Sequence, residues 1–203
     1  MNIINALKTA AAVSAACLLL TGCGGYHAGT VKGTSYRNAD AGFRIETPDA
    51  FSVAAETDFT AWDVYREAVR QASERDALEG FRCEFAAKAS ECEMLVCSEP
   101  NTHADAETAF LARICNHLRD EENGVEMRML ENAVYGKTEF VTALLFAHAH
   151  GIKGHETEGR DITQTYIGVA PAEDSFVYLI MRLSGSDESI AQKQMLLDSI
   201  QKN

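Results

Sequence analysis

Thr138-Glu139-Phe140-Val141-Thr142-Ala143-Leu144-Leu145-Phe146-Ala147-His148-Ala149-His150 is the stretch that decides how this chain folds. In an extended strand, Phe140, Leu144 and Phe146 fall on one face and Val141, Ala143 and Leu145 on the other. Both parities are apolar, so the strand is expected to be buried on both sides. Residues 176–183, Phe176-Val177-Tyr178-Leu179-Ile180-Met181-Arg182-Leu183, read the same way. A sheet of such strands needs a covering layer on each face, and helices on both faces are the expected cover.

Working outward, Gly136-Lys137 marks a turn that pairs residues 138–150 with residues 125–135, and residues 161–170 supply a further strand. Ser186, followed by Asp187 and Glu188, opens a last helix expected to turn Ile190, Leu197 and Ile200 inward. Upstream, Phe43-Arg44-Ile45-Glu46 alternates before Thr47-Pro48-Asp49, and a short strand follows over 51–55. Thr60-Ala61-Trp62-Asp63 reads as a capping box opening a helix to about residue 78, with Trp62, Tyr65, Val69 and Ala72 as its core face. Phe81-Arg82-Cys83-Glu84-Phe85 alternates, turns over 88–91 and returns over 92–97 as a hairpin. A second helix runs from the Thr102/Asp105 capping box to about Asn123-Gly124, with Phe110, Leu111, Ile114, Cys115 and Leu118 along one stripe. The expectation is an α+β fold: an α/β/α sandwich, mainly antiparallel, with helices on both faces of the sheet.

Four stretches carry a family resemblance. Residues 36–48 ending in Gly42-Phe43-Arg44-Ile45-Glu46-Thr47-Pro48, the Tyr135-Gly136-Lys137 turn, residues 174–183, and Met195-Leu196-Leu197-Asp198-Ser199-Ile200 together resemble the Mog1/PsbP superfamily over residues 36–202. The resemblance implies a Mog1/PsbP-like sandwich and a non-catalytic accessory or binding module. Characterised members act on a small GTPase or at the oxygen-evolving centre of photosynthesis. No binding residue of either class maps onto this chain, and a fold alone does not supply a function.

The N-terminus supplies an address. Lys8 precedes an apolar run over residues 9–20, a pattern of signal-peptide type that is too short to span a hydrocarbon core of about 30 Å. Leu20-Thr21-Gly22-Cys23 resembles the lipobox, which makes residues 1–22 a lipoprotein signal peptide and Cys23 the lipidated first mature residue. Its cofactor-like group is then a covalent lipid, a diacylglycerol with an amide-linked acyl chain such as palmitate, and more than one chain makes anchoring stable. The expected location is the cell envelope, on the extracytoplasmic face of the plasma membrane or outer membrane. The bilayer is one partner and an envelope protein is the expected other. Gly24 stands where an Asp would resemble an inner-membrane retention signal. Residues 23–41, rich in Gly and polar residues, read as a flexible tether, and residues 42–203 as one domain.

The chain has 18 Lys and Arg against 30 Asp and Glu, a formal charge of −12 that becomes −13 when Lys8 leaves with the leader. Nucleic acid and anionic lipid headgroups are repelled by that balance. Cys83, Cys92, Cys97 and Cys115 form no CxxC pair, which argues against thioredoxin-like chemistry and a zinc knuckle. Cys83 and Cys97 fall on adjacent hairpin strands, so a bridge between them, or one involving Cys92, stays open; Cys115 reads as core.

One cluster suggests chemistry. His148 and His150, two residues apart on a strand, would offer two imidazoles to one metal, with His155 or a glutamate from the following loop completing the set. This is the alternative reading, a metal- or small-ligand-binding lipoprotein; ordinary strand-end histidines explain the pattern as well. His27, His103 and His117 show no partnering pattern. There is no Gly-x-Ser-x-Gly elbow, P-loop or dinucleotide fingerprint, and the serines of Ser184-Gly185-Ser186 read as a helix N-cap. No reaction is nominated, and the expected activity is non-enzymatic.

Overall fold

The computed structural model describes residues 25–53, 82–101, 111, 115, 125–148 and 162–203. The strands are β1 (Thr30–Lys32), β2 (Ser35–Asn38), β3 (Phe43–Glu46), β4 (Ser52–Val53), β5 (Arg82–Lys88), β6 (Cys92–Pro100), β7 (Val125–Met129), β8 (Ala133–Tyr135), β9 (Thr138–His148), β10 (Ile162–Ala172), β11 (Ser175–Leu183) and β12 (Ile200–Lys202), and α1 is Asp187–Asp198. The large sheet runs β4-β5-β6-β11-β10-β9-β7, with β8 also on β9; the small sheet runs β1-β2-β3-β12. Every pairing is antiparallel.

β11 sits at the middle of the large sheet, pairing with β6 on one side and β10 on the other, and every residue of it except Arg182 is buried. The apolar parities of β9 divide as the sequence requires. Phe140 joins one core cluster, with Leu144 packed against it, and Val141, Ala143 and Leu145 join the other. Both faces of the sheet are therefore covered.

The cover on one face is not what the sequence led us to expect. Tyr36, Phe43 and Ile45 of the small sheet, with Leu196 of α1 and Ile200 of β12, close over Phe85, Met94, Val96, Phe140, Leu179 and Met181. The fold is thus mostly antiparallel sheet with one helix of defined extent among the described residues, and the α/β/α sandwich with helices on both faces is corrected to a sheet whose first face is capped by a second sheet and α1. The physical reason is that two-sided burial demands an apolar layer but does not specify its backbone. Alternating burial in β2 and β3 lets short strands supply that layer. On the second face, Leu111 and Cys115 have helical backbone and are buried in the cluster of Leu95, Ile167, Val169 and Ile180. The rest of the expected helices over 60–78 and 102–123 lies outside the described residues.

Other local differences follow from the same packing. The segment read as a tether carries β1 and β2. Residues 125–135 form two strands, because Leu130 N–H donates to Thr142 O (3.0 Å) and Thr142 Oγ1 donates to Glu131 O (2.9 Å), bridging the break. α1 starts as expected, with Ser186 Oγ accepting from Ser189 N (3.0 Å) and Asp187 and Glu188 in its first turn. Its buried residues are Ser189, Gln192 and Leu196, and Leu197 packs against the same core as expected, whereas Ile190 is 44% exposed and Ile200, buried as expected, belongs to β12. Gly136 turns β8 into β9 with a φ of 67°, and a Cβ there would lie 2.8 Å from Gly42 O and Phe43 Cβ.

Candidate functional site: a carboxylate hub beneath an N-terminal strap

The most developed polar cluster among the described residues centres on Glu84 of β5. Cys83 pairs with Cys97 and Phe85 with Val96, which leaves Glu84 as the extra residue of a β-bulge. In an unbroken strand Cys83 and Phe85 would share a face. Here Cys83 packs against the cluster on the second face while Phe85 belongs to the first. The bulge reverses the alternation, and the Glu84 side chain, 1% exposed, ends up under residues 25–29.

A buried carboxylate is costly unless donors surround it. Glu84 Oε1 accepts from Tyr26 Oη at 2.6 Å, and Oε2 accepts from Tyr36 Oη and the Gly29 backbone N–H, each at 2.6 Å. Asn38 Nδ2 donates to Tyr26 Oη (2.6 Å) and Tyr36 Oη (3.1 Å), and its Oδ1 accepts from Ala41 N (2.7 Å). Arg82 completes the set, its Nε 3.6 Å from Glu84 Oε1 and its guanidinium 5.7 Å from the centre of the Tyr26 ring. Burial, reinforced by the Glu84 carboxylate, raises the phenol pKa values of Tyr26 and Tyr36 well above the ordinary tyrosine value, so both remain donors.

Residues 25–29 are held as a strap at both ends of this hub. Tyr26 N donates to Asp174 Oδ1 (2.8 Å), and Asp174 lies on the two-residue turn between β10 and β11. His27 N donates to Asp40 Oδ2 (2.5 Å), with His27 Nδ1 3.1 Å from the same oxygen. Gly29 is required where it stands, since a Cβ would lie 2.3 Å from the Tyr36 ring. Three carboxylates therefore fix three backbone N–H groups of one short segment. The chemistry of this arrangement is attachment, because the hub's lone pairs are already engaged by the chain itself.

A separate open cavity of about 220 Å³ lies where the β5–β6 turn meets the end of β11, lined by Ser90, Glu91, Cys92, Glu93, Arg182 and Ser184 among others. Glu93 Oε1 is 3.3 Å from Lys88 Nζ, and Glu93 Oε2 is buried with no hydrogen-bond partner among the described residues. Burial pushes the Cys92 thiol up to about 12, which keeps it protonated and a poor nucleophile.

The site residues named from sequence fall mostly elsewhere. Cys23, His150 and His155 lie outside the described residues. His148 is the last residue of β9, its backbone opposite Ile162. Among the described residues no group of three His, Cys, Asp or Glu side chains is arranged to hold a metal. Sequence reasoning missed Glu84, Tyr26, Tyr36 and Asn38. The available signal was an acid inside an apolar hairpin strand, which the clean alternation of Arg82-Cys83-Glu84-Phe85 appointed to solvent.

No family model matches the chain, and no curated protein matches it. Among solved structures it is similar to the solution structure of cyanobacterial PsbP (CyanoP) from Synechocystis sp. PCC 6803, at 8% identity and a TM-score of 0.47, over 90% of this chain and 96% of that one. It is also similar to a crystal structure from Bacteroides thetaiotaomicron VPI-5482, at 10% identity and a TM-score of 0.39, over 85% of this chain and 49% of that one. A PsbP protein is thus among the structures this chain resembles. Likenesses this remote carry no argument about what the chain binds or does.

Proposed function

We propose that this protein is an extracytoplasmic lipoprotein, anchored in a membrane of the cell envelope by acyl chains on Cys23, whose folded part is a non-catalytic binding or accessory domain. The observation that carries the reading is Leu20-Thr21-Gly22-Cys23 following Lys8 and the apolar run over 9–20. The non-catalytic half is supported by the Glu84 hub, which binds the chain's own strap, and by the protonated Cys92 thiol at the cavity. The partner class is a protein of the same envelope, because the acidic charge repels nucleic acid.

The test is cell fractionation with an alkyne-bearing palmitate analogue fed to the producing cells. The full-length protein should carry the label and stay with the membrane pellet, and Cys23→Ser should lose both. An unlabelled protein that fractionates identically with and without Cys23 would remove the lipoprotein reading.

A further inference from the structure

The clamped strap bears on how far the domain stands from the membrane. If residues 24–41 were a free leash, they would reach about 60 Å at 3.3–3.6 Å per residue. The strap is instead fixed at Tyr26, through Asp174 and Glu84, and again at His27 and Gly29, through Asp40 and Glu84. Cys23 precedes Tyr26 by three residues, which span at most about 11 Å when fully extended. The headgroup layer on each side of a bilayer is roughly 5–8 Å thick. A lipid whose glycerol lies in that layer thus leaves only a few ångströms between Tyr26 and the membrane surface.

We infer that the strap seats the domain directly on the bilayer, with the face bearing Tyr26, His27 and the neighbouring edge strand β1 against the headgroups; this rests on the lipoprotein reading above. β1 is exposed along its whole length, and Val31 is 47% exposed, an apolar side chain at the edge of the small sheet beside the strap. Asp40 and Asp174 flank the strap, and the chain is acidic throughout. The same face also carries cations, Lys32 on exposed β1 and Arg82 over the Tyr26 ring, so the fitting surface is a zwitterionic lipid whose phosphate and ammonium groups match both signs of charge. The clamp makes the Glu84 hub the element that sets the height and tilt of the domain, and with them which of its faces is presented to an envelope partner.

The experiment uses the full-length protein, extracted from membranes and reconstituted in a supported bilayer of phosphatidylethanolamine and phosphatidylcholine. Intact mass reports acylation, and neutron reflectometry reports the water layer between headgroups and protein. The second sample carries about twelve Gly and Ser residues inserted between Gly24 and Gly25, which leaves the strap and hub untouched and adds roughly 20 Å of root-mean-square reach. The expected result is an acylated protein with a water layer of no more than about 10 Å, widening by about 20 Å on insertion. An acylated protein separated by tens of ångströms without the insertion overturns the seating, as does a layer that the insertion leaves unchanged. A protein with no lipid on Cys23 overturns the lipoprotein reading itself, and the seating with it.

Discussion

Replacing Glu84 by Ala removes the acceptor for three short hydrogen bonds at once, from Tyr26 Oη, Tyr36 Oη and Gly29 N. The loss is not uniform. Tyr36 is fully buried and carries the largest share, about 1–3 kcal/mol for a buried donor left unsatisfied, while Gly29 N and Tyr26 Oη, both in part-buried bonds, carry less. The Arg82 ion pair adds little, because Arg82 is 49% exposed and the 3.6 Å contact is screened. Water entering the space left by the carboxylate offsets part of the total, which comes to roughly 2–4 kcal/mol. For a chain of this size that corresponds to a fall in melting temperature of roughly 5–15 °C. Glu84→Gln should fall by less than half as much, since an amide oxygen in the place of Oε2 still accepts from Gly29 N and Tyr36 Oη and the Tyr26 hydroxyl can rotate to accept from the NH₂. Thermal unfolding followed by circular dichroism measures both. If Glu84→Ala melts within a degree or two of the parent, the carboxylate is hydrated and the hub does not hold the strap.

Alkaline pH should act on the same hub. Burial raises the folded-state pKa values of Tyr26, Tyr36 and Tyr166 above the ordinary 10.0, with Glu84 or Tyr135 adding to it. The folded state then holds protons that the unfolded chain gives up, so stability is full below about pH 10 and declines as pH rises beyond it; denaturant midpoints taken across that range should fall, and a flat profile would contradict the burial. Gly136→Ala should lose at least about 1–2 kcal/mol from its positive φ, and more from the 2.8 Å approach to Gly42 O, read as a lower urea midpoint. In α1, Leu196→Ala should cost about 2–5 kcal/mol, whereas Ile190→Ala should stay within about 0.5 kcal/mol; equal effects would mean that the helix packs by the other face.

How much of this could be read from residues alone depends on the range of the interactions. The two-sided burial of β9 and β11 was legible, because apolar residues at both parities have no other economical explanation in a strand. The Ser186 cap, the Gly136 turn and the β5–β6 hairpin were legible because their signals are local. Of the small sheet only β3 was, through the alternation of Phe43 and Ile45 with Arg44 and Glu46. β1 is exposed at every residue and β2 buries little beyond Tyr36 and Asn38, so the strand character of β2 comes from pairing with β3, that of β1 from pairing with β2, and that of β12 from a contact across the length of the chain. Ile200 looked like the end of a helix face for the same reason: its apolarity signals burial, and its backbone partner Ile45 is invisible locally. The Glu84 hub joins residues 48 to 58 positions apart and depends on a bulge that no composition rule announces. An acid at an alternating position reads as solvent-facing until one extra residue turns it inward.

The most direct test of the central claim is the intact mass of the full-length protein extracted from the membranes of cells that process lipoproteins. The account predicts a mature chain that begins at Cys23 and carries a diacylglycerol with an amide-linked acyl chain, and loss of that species in Cys23→Ser. A chain that retains residues 1–22, or one cleaved elsewhere with an unmodified Cys23, would contradict it.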